Sequence, residues 1–412
     1  MDGEPMAVVY PDNLAALGVC RALGTQGISV SVLSSGRTTP GQYSRFARRV
    51  LCPPRTQEKE LVEFLIEFGR RQAQPAVLFL TDDASIVTLH RHEEKLKRWY
   101  RFPMAPWPVV RRILFKDQLY ASLADVVPVP HTRLPVDESQ LPQVIQDIGY
   151  PVLVKPLLRS FSEASNQTHS FDKLFGSKAV RVRTLRELQE IYRTARALGF
   201  KVLVQEEIKG PISALYSVGL YVTREGNTAA AFTAQKLCEV PAEFGDGLVV
   251  KATRMPELIT LAERAVQHFG YYGMAEIEFK LDPRAGIYKL LDINPRPWHW
   301  INLATECGVN LSHVAYLDML NRPIDRESFL QNDFQTRWVS VRGLIVQMVR
   351  SVLSGRLHGD LFGLLGHLRG RRVGPLFNNK DLLLRMFLSP AYWWGSLRQA
   401  VAAIRRLHGS RR

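Results

Sequence analysis

One stretch, Tyr272–Trp298, limits the possible folds of this chain more than any other. It reads YGMAEIEFKLDPRAGIYKLLDINPRPW and contains two runs typical of strands, Met274–Leu281 and Ile287–Ile293. The intervening DPRAG supplies aspartate, proline and glycine, which are residue types that form turns between strands. The stretch therefore predicts an antiparallel hairpin at the end of a sheet.

Oxygen-bearing side chains gather on one face of this hairpin. Successive side chains along a strand alternate between faces, so Asp292 and Asn294 point the same way while Ile293 faces the core. A turn within DPRAG places either Glu276 or Glu278 beside Asp292. Carboxylate and amide oxygens without cysteine or histidine suit a hard cation such as Mg²⁺. A surface hairpin with solvated acids is the alternative interpretation.

The hairpin resembles the metal-binding end of the ATP-grasp family. That pattern has an acid within a short strand, a hairpin, and then acid-x-Asn-x-Arg, which here corresponds to Glu278, Asp292, Asn294 and Arg296. The resemblance implies that Glu278, Asp292 and Asn294 bind Mg²⁺ or Mn²⁺ and that Arg296 is catalytic. The chain departs from the family at Asp292, where glutamate is more common, and the shorter side chain has less reach.

The N-terminal residues show the alternation of an α/β domain. A strand at Met6–Tyr10 precedes a helix at Leu14–Leu23, for which Asn13 is a candidate cap, and a second strand follows at Ile28–Leu33. This order predicts a parallel sheet. The loop after the first strand lacks the three-glycine dinucleotide fingerprint, so we do not expect NAD there.

A second unit repeats this order. The sequence predicts a helix at Gln57–Arg71, a strand at Ala76–Leu80 and a further helix at Ala84–Lys97. Asp82 and Asp83 follow the strand at the edge where open α/β sheets bind ligands. They either face substrate or cap the next helix.

This N-terminal region resembles the pre-ATP-grasp domain of the carboxylate–amine ligase branch. The matching pieces are YSR at 43–45, LTDD at 80–83, FKD at 115–117 and VPVPHT at 127–132. With the hairpin, the resemblance covers roughly residues 6–320.

Two lysines are candidates for binding phosphate. Lys155 closes the apolar strand YPVLVKP, and such a lysine directs a flexible positive charge into a cleft. Lys116 begins a helix that ends near Ala124. The resemblance implies that Lys155 binds the α and β phosphates of ATP and that Lys116 assists. A snorkelling lysine at a sheet edge is the alternative for Lys155.

A polar insert, RSFSEASNQTHSFDKLFGSK, occupies residues 159–178 and has few residues suited to packing. It resembles the flexible loop that folds over the nucleotide in ATP-grasp enzymes. Of its lysines, Lys178 is preferred to Lys173 as a nucleotide contact. A closing loop would exclude water from a hydrolysable intermediate.

Three more residues are assigned to the nucleotide by resemblance. The run VLVQEEIKGP at 202–211 resembles the family hinge, which implies that Glu206 and the backbone of Ile208 hold adenine. A strand at 228–236 ends at Lys236, which the resemblance places near the transferred γ-phosphate as a cofactor-binding and catalytic residue. Trp298 and Trp300 either pack in the core or flank an acceptor.

Composition narrows the class of protein. The 412 residues are 46% hydrophobic and 23% charged, which is typical of a soluble globular protein with two or three domains. Four widely spaced cysteines predict free thiols in a reducing cytoplasm. The sequence shows no signal peptide and no run of about 18 apolar residues, so we expect a cytoplasmic protein without a spanning helix.

The formal charge of +15 is concentrated near the C-terminus. After Gln331 the only acids are Asp333, Asp360 and Asp381. Helices are predicted over Val339–Ser354, Gly359–Arg369, Asp381–Leu388 and Tyr392–Leu407. The last helix is basic and amphipathic, which predicts either peripheral contact with an anionic membrane or packing on its own domain.

These observations predict an α/β fold with three parts. They are an N-terminal Rossmann-like pre-ATP-grasp domain at 1–112, a two-part α+β ATP-grasp domain at 113–322 and a basic helical C-terminal region at 323–412. The ATP-grasp domain divides into a smaller nucleotide subdomain at 113–205 and a larger subdomain at 206–322 that carries the metal site.

The resemblance implies an ATP- and Mg²⁺-dependent ligase that activates a carboxylate as an acyl phosphate and joins it to an amine. Small-molecule substrates such as an amino acid or a cell-envelope precursor fit this chemistry. A relative of biotin-dependent carboxylases is one alternative, and a nonenzymatic, basic nucleic-acid-binding protein is another. No aromatic-basic strand motif supports the latter, so no nucleic-acid partner is expected. The sequence specifies neither the substrates nor the oligomeric state.

Overall fold

The structure is a computed structural model that describes residues 4–36, 39–157, 171–240, 244–353, 366, 369–378, 381 and 393. Its helices pack against three sheets, one parallel and two largely antiparallel. This arrangement confirms the predicted mixed α/β class.

The parallel sheet forms the N-terminal part. Its strands are β1 (Ala7–Tyr10), β2 (Val30–Ser34), β3 (Arg48–Leu51), β4 (Ala76–Leu80) and β5 (Tyr100–Arg101). Its helices are α1 (Leu14–Gly24), α2 (Glu58–Arg70), α3 (Asp83–His90) and α4 (Glu93–Leu96). The order is β3-β2-β1-β4-β5, and every residue of β1 and β4 is buried, as expected for a sheet covered on both faces. Asn13 caps α1 as predicted, because its Oδ1 accepts from Ala16 N at 3.0 Å.

The single helix predicted over Ala84–Lys97 is wrong, since α3 and α4 are separate. The buried His90 ends α3, with its Nε2 2.9 Å from the carbonyl oxygen of Ala105. The next two side chains, Arg91 and His92, both bind Glu58 of α2, at 2.9 and 2.7 Å. These tertiary contacts turn the chain before α4 begins.

A small antiparallel sheet follows two linking helices, α5 (Trp107–Leu114) and α6 (Lys116–Leu123). Its strands are β6 (Thr132–Arg133), β7 (Val152–Pro156), β8 (Val180–Val182) and β9 (Val202–Glu206). Its helices are α7 (Leu141–Ile148), α8 (Phe171–Phe175) and α9 (Leu185–Ala197). The strand order is β6-β9-β7-β8.

Part of the polar insert is more tightly packed than the sequence indicated. Residues 158–170 lie outside the described part of the chain, but Phe171 in α8 is fully buried. Its ring centroid lies 5.7 Å from that of Phe200, edge to face, and 4.4 Å from that of Phe175. Two aromatic residues four positions apart share a helix face, so this end of the insert joins the core of the small sheet.

The large sheet contains the predicted hairpin. Its strands are β10 (Leu215–Val222), β11 (Thr228–Val240), β12 (Asp246–Ala252), β13 (Gly273–Asp282), β14 (Ile287–Asn294), β15 (Arg337–Val339) and β16 (Arg372–Val373). Its helices are α10 (Pro256–His268), α11 (Asn302–Glu306), α12 (Leu311–Met319) and α13 (Val341–Leu353). The order is β14-β13-β10-β11-β12-β15-β16.

Two cores explain how the sheets are joined. The parallel sheet and the large sheet share one core, in which Leu78 of β4 packs in the same cluster as Ile277 of β13. The small sheet has a separate core built from residues between Leu141 and Val204. The hairpin is therefore fixed to the N-terminal part, and the small sheet faces it as a distinct unit. The domain boundaries at 112, 205 and 322 stay predictions.

Strands β15 and β16 extend the large sheet in a region predicted to be helical. Trp338 and Val339 pair with Val250 and Val249 of β12, and all four are buried. The predicted helix at Val339–Ser354 corresponds to α13, whereas the three later predicted helices fall almost entirely outside the described residues. Short apolar pairs such as these carry too little periodicity to identify a strand.

A buried ion pair fixes the described C-terminal segment to α1. Arg21 Nε donates to Asp381 Oδ2 at 2.9 Å, and each side chain is 2% exposed. The guanidinium also donates to the carbonyl oxygens of Gly374 and Pro375, each at 2.9 Å. Ser44 Oγ donates to the same carboxylate at 2.6 Å. The basic C-terminal region is therefore tied into the N-terminal part through residue 381.

We expect Asp381→Ala to lower the free energy of unfolding by about 3–5 kcal/mol, because it leaves the Arg21 charge buried without its partner. Urea unfolding monitored by circular dichroism measures the change. Glu190→Ala is the matched control, since it breaks the exposed pair with Arg186 and costs at most about 1 kcal/mol. Equal losses in the two variants would show that the buried pair has no special weight.

Candidate active site

A cleft of about 660 Å³ lies where the three sheets meet, which is within the size range of small-molecule sites. All ten residues singled out from the sequence line it: Lys116, Lys155, Lys178, Glu206, Ile208, Lys236, Glu278, Asp292, Asn294 and Arg296. The structure thus brings them together, while their individual roles stay predictions.

The hairpin register decides which acid lies beside Asp292. Glu278 pairs with Asp292 across β13 and β14, and Glu276 pairs with Asn294. The pairing register shifts directly after Glu278. Ile293, which lies between Asp292 and Asn294, faces the core and is 2% exposed. The cleft face of the hairpin therefore carries three carboxylates and one amide.

The oxygen donors of this face fit a hard cation. Glu276 is buried, and its Oε1 has no hydrogen-bond partner among the described residues, while its Oε2 accepts from Asn294 Nδ2 at 3.2 Å. Burial and the neighbouring charge of Glu278 raise the pKa of Glu276, so a divalent cation would relieve this crowding of acids. Among the described residues, no group of three or more His, Cys, Asp or Glu side chains forms a metal site by itself. The candidate ligands are accordingly two carboxylates, Glu278 and Asp292, and the amide of Asn294.

Two lysines pair with these carboxylates. Lys116, the first residue of α6, donates to Asp292 Oδ1 at 2.5 Å, and Lys236 donates to Glu278 Oε1 at 3.3 Å. Burial lowers the pKa of Lys236, but the charges of Glu278 and Glu239 outweigh burial and hold it above its usual value. Both lysines therefore remain charged inside the cleft.

The sequence predicted that Lys236 ends its strand, and this prediction is wrong. Strand β11 continues to Val240, and register shifts follow Lys236 on the way to Cys238 and Glu239. The pairing of β11 with the edge of β12 sustains the strand beyond the polar residues, so the side chain enters the cleft from the strand interior.

Lys155 has a different environment. Its Nζ donates to the neutral amide oxygen of Gln205 at 2.7 Å, and Gln205 Nε2 donates to Thr132 Oγ1 at 2.8 Å. Burial, with help from the positive charge of Lys116, lowers the pKa of Lys155 to about 8. Unlike Lys236, this ammonium therefore loses its charge as the pH rises through about 8.

Lys178 bridges the cleft. Its Nζ lies 2.5 Å from Asp246 Oδ1, at the start of β12. Nearby, the guanidinium carbon of Arg181 in β8 lies 5.5 Å from the ring centroid of Phe244. Phe244 has a φ of 61°, a conformation uncommon for a residue with a side chain. The small sheet and the loop before β12 thus touch through an ion pair and a cation–π contact.

Glu206 is engaged by basic residues of the hairpin. Its carboxylate accepts from Lys289 Nζ at 2.8 Å, from Arg284 and from His131 N at 3.2 Å. Burial raises its pKa, but these donors together bring the pKa below its usual value. Ile208, two residues on, is buried beside the cleft. The sequence analysis did not identify Arg284 and Lys289 as partners of Glu206. Their position in and beside the hairpin turn was the only feature of the sequence that could have indicated this contact.

Arg296 lies at the end of β14 against the N-terminal part. Its Nε donates to Asp83 Oδ1 at 2.5 Å, and its terminal nitrogens donate to Asn294 Oδ1 and to the Pro297 carbonyl oxygen. Burial lowers the pKa of Arg296, but the Asp83 carboxylate outweighs burial and raises it. The sequence left open whether the two acids after β4 cap the next helix or face the cleft. In the structure Asp82 caps α3, and Asp83 binds Arg296 at the cleft.

The tryptophans beyond Arg296 are packed and also line the cleft. Trp298 and Trp300 are 2% and 4% exposed, with ring centroids 5.2 Å apart. Trp298 lies over the backbone of Gly219, where an added Cβ would be 2.3 Å from Cη2 of the indole. Sequence reasoning did not identify Gly219, because its role depends on a residue 79 positions away.

Comparison with known proteins places this cleft in context. Residues 213–341 match a family model described as ATP-grasp in the biosynthetic pathway with Ter operon. D-aspartate ligase from Enterococcus faecium is 21% identical over 354 residues, which are 82% of this chain and 83% of that protein. The carbamoyl phosphate synthase large chain from Methanothermobacter thermautotrophicus is 22% identical over 76% of this chain, but this chain matches only 29% of that protein's length.

Solved structures share the fold. L-amino acid ligase from Bacillus licheniformis has a TM-score of 0.57 at 16% identity, covering 79% of this chain and 76% of that one. The ADP complex of purK, N5-carboxyaminoimidazole ribonucleotide synthetase, has a TM-score of 0.63 at 16% identity, covering 86% of each chain. The biotin carboxylase domain of Hydrogenobacter thermophilus 2-oxoglutarate carboxylase, with MgADP, has a TM-score of 0.61 at 17% identity, covering 80% and 72%.

If Lys155 binds phosphate, we expect nucleotide affinity to fall as the pH rises through its pKa, because the ammonium loses its charge. For a pKa of about 8, the change from pH 7 to pH 9 weakens binding about tenfold, or about 1.4 kcal/mol. Calorimetric titration with a nonhydrolysable ATP analogue measures this profile. Lys155→Arg, which stays charged, should bind with little pH dependence. A wild-type affinity that is equal at both pH values would remove Lys155 from the phosphate site.

Proposed function

We propose that this chain is a member of the ATP-grasp superfamily and an ATP-dependent ligase that forms a carbon–nitrogen bond between a carboxylate and an amine. The observation that carries the proposal is one cleft in which Lys116, Lys155 and Lys236 face the oxygen donors of the hairpin, with Arg296 beside them. Lysines that face carboxylate and amide oxygens suit phosphoryl transfer, because this reaction depends on charge neutralisation and alignment more than on covalent catalysis.

In the first step, a substrate carboxylate oxygen attacks the γ-phosphorus of ATP, and the bond to the leaving ADP oxygen breaks. An acyl phosphate and ADP result. Lys155 and Lys116 neutralise the α- and β-phosphate oxygens, and Lys236 neutralises the transferred γ-phosphoryl group. A bound Mg²⁺ or Mn²⁺ would add positive charge between the phosphates, held by Glu278, Asp292 and Asn294.

In the second step, the nitrogen of a neutral amine attacks the acyl carbon. The carbonyl electrons move onto oxygen and then return to re-form the carbonyl, as phosphate leaves with the electron pair of its bond to carbon. The proton that the nitrogen loses is taken up by the released phosphate. The guanidinium of Arg296 stabilises the oxyanion, since a fixed donor in a site shielded from water acts strongly there.

Three residues complete the nucleotide site in this proposal. Glu206 and the backbone of Ile208 hold adenine, whose apolar faces and few edge hydrogen bonds suit such a pocket. Lys178 exchanges its contact with Asp246 for a nucleotide phosphate, which would couple nucleotide binding to the contact across the cleft.

An amino acid or a cell-envelope precursor is the substrate class we propose. D-aspartate ligase and L-amino acid ligase, which resemble this chain, are named for amino-acid substrates. Structural likeness to a biotin carboxylase domain favours a second candidate, carboxylation from bicarbonate, which the same assay separates from ligation.

The function is tested by measuring ADP release from ATP and Mg²⁺ over paired amino acids and carboxylic acids, with mass spectrometry of the products. Ligation predicts ADP release that requires both an amine and a carboxylate, together with an amide product. ADP release that requires bicarbonate instead would favour the carboxylase. No ADP release with any pair or with bicarbonate would contradict both.

Asp292→Asn should abolish this turnover, with a loss of at least about 100-fold, because it removes a carboxylate from the candidate metal site. The thermal unfolding midpoint should change little, since Asp292 is partly exposed to the cleft. Glu190→Gln, on the exposed face of α9, is the control and should keep wild-type turnover. Turnover close to wild type in Asp292→Asn at saturating Mg²⁺ would rule out this site.

We also propose that the basic C-terminal residues bind an anionic membrane surface peripherally. None of the described helices has the length and apolarity needed to cross a membrane. Trp393 is partly buried against Leu17 of α1, which reduces the apolar surface that it could offer as an anchor. The proposal therefore rests on arginines beyond it, each of which contributes about 1 kcal/mol near an anionic surface.

Sedimentation with phosphatidylserine vesicles at low and high salt tests this contact. The full chain should pellet at low salt and be released at high salt. Neutralising four C-terminal arginines to glutamine should abolish pelleting: Arg405, Arg406, Arg411 and Arg412. The control neutralises four exposed arginines elsewhere and should pellet normally: Arg70, Arg71, Arg186 and Arg193. Equal pelleting by the two variants would exclude a specific role for the C-terminus.

A further inference from the structure

An acid from the N-terminal part holds Arg296. Arg296 Nε donates to Asp83 Oδ1 at 2.5 Å, although 213 positions separate the two residues. Their side chains are 14% and 16% exposed, so the pair lies largely away from bulk water. A charge-assisted hydrogen bond in such surroundings fixes geometry strongly.

Two more acceptors complete the arrangement. The terminal nitrogens of Arg296 donate to Asn294 Oδ1 at 3.3 Å and to the Pro297 carbonyl oxygen at 3.2 Å. These bonds and the bond to Asp83 occupy three of the five N–H donors of a guanidinium. These three bonds fix the plane of the guanidinium. Within the part of the chain that the structure describes, its other two N–H donors have no acceptor and are left for an anionic oxygen in the cleft.

The backbone carrying Asp83 is itself well fixed. Asp83 is the first residue of α3 and follows Thr81 and the wholly buried strand β4 closely. Asp82 caps the helix, with its Oδ1 accepting from Ser85 N at 2.7 Å. Of these two acids, Asp83 lines the cleft and Asp82 does not. Of the two adjacent carboxylates, Asp82 therefore stabilises the start of α3, whereas Asp83 contacts Arg296 in the cleft.

We propose that Asp83 is a positioning residue for ligation, which orients Arg296 so that its two remaining donors face the acyl phosphate and the oxyanion. This inference rests on the proposed function, which gives Arg296 its role. Asp83 is not needed to keep Arg296 charged, because a guanidinium stays protonated at any physiological pH. Asp83 instead fixes the orientation of the Arg296 guanidinium. Orientation matters because a misplacement of about 1 Å at a reacting centre can lower the rate about 100-fold.

Turnover of Asp83 variants tests this role. Asp83→Ala should lower kcat about 100-fold while changing the KM for ATP less than about twofold, because Arg296 would lose orientation but the phosphate lysines would not. Asp83→Asn keeps an oxygen acceptor and should recover part of the loss. Asp82→Asn is the matched control, since asparagine is also a good helix cap, and should keep wild-type kcat. A loss in Asp82→Asn equal to that in Asp83→Asn would overturn the proposal.

A double-mutant cycle shows whether Asp83 acts through Arg296. In an Arg296→Ala background, Asp83→Ala should lower kcat by less than about twofold further, because no guanidinium remains to be oriented. If the two losses multiply, Asp83 acts independently and the positioning role is wrong.

A spectroscopic measurement makes the inference independent of turnover. In protein labelled with ¹⁵N-arginine, the Nε–H signal absent from Arg296→Ala identifies Arg296. Its exchange with solvent should be slow in the wild-type chain and at least about tenfold faster in Asp83→Ala, because the bond to Asp83 protects it. An unchanged rate would overturn the inference. Faster exchange in a protein without turnover on any substrate pair would support the Asp83 contact and contradict the proposed function instead.

Discussion

The cleft depends on the balance of opposite charges in a partly buried space. Glu276, Glu278 and Asp292 stand together on one hairpin face, where carboxylates removed from water repel one another. Lys116 and Lys236 offset this repulsion by pairing with Asp292 and Glu278. Leaving one member of such a set buried alone costs several kcal/mol, so the acids and lysines have to occupy the cleft together. Those paired charges are also the ones that a polyphosphate and its cation would redistribute.

The fold keeps these charges in place by joining two sheets and separating the third. Ile277 of β13 packs into the core that contains Leu78 of β4, so the hairpin cannot move without the N-terminal part. Helix α1 adds to this block, since an added Cβ at Gly18 would lie 2.6 Å from Ile301, and Asn310 Nδ2 donates to the Ala22 carbonyl oxygen at 2.8 Å. The small sheet, which carries Lys155, has its own core and meets the block across the cleft.

Local sequence patterns were enough to predict the hairpin and the residues that line the cleft. Alternation places Asp292 and Asn294 on one face whatever the tertiary context, and an apolar strand ending in Lys155 needs no partner to be recognised. Contacts between distant residues could not be read in this way. Asp83 and Asp82 look equivalent in the sequence, and only the tertiary contact between the segment after β14 and the start of α3 assigns one of them to Arg296. Likewise, no local signal joins Arg21 to Asp381, 360 positions later.

Where the small sheet meets the loop before β12, its contacts differ in kind from those within the block. Lys178 meets Asp246 with side chains 30% and 46% exposed, and Arg181 meets Phe244 through a ring face. Exposed ion pairs and single cation–π contacts contribute about 1 kcal/mol or less each, whereas the Arg21–Asp381 pair is almost fully buried. A rearrangement of the cleft would therefore cost least where the small sheet touches the loop before β12. Arg296 lies on the other side, in the block, where the bond to Asp83 and the shared core fix its position.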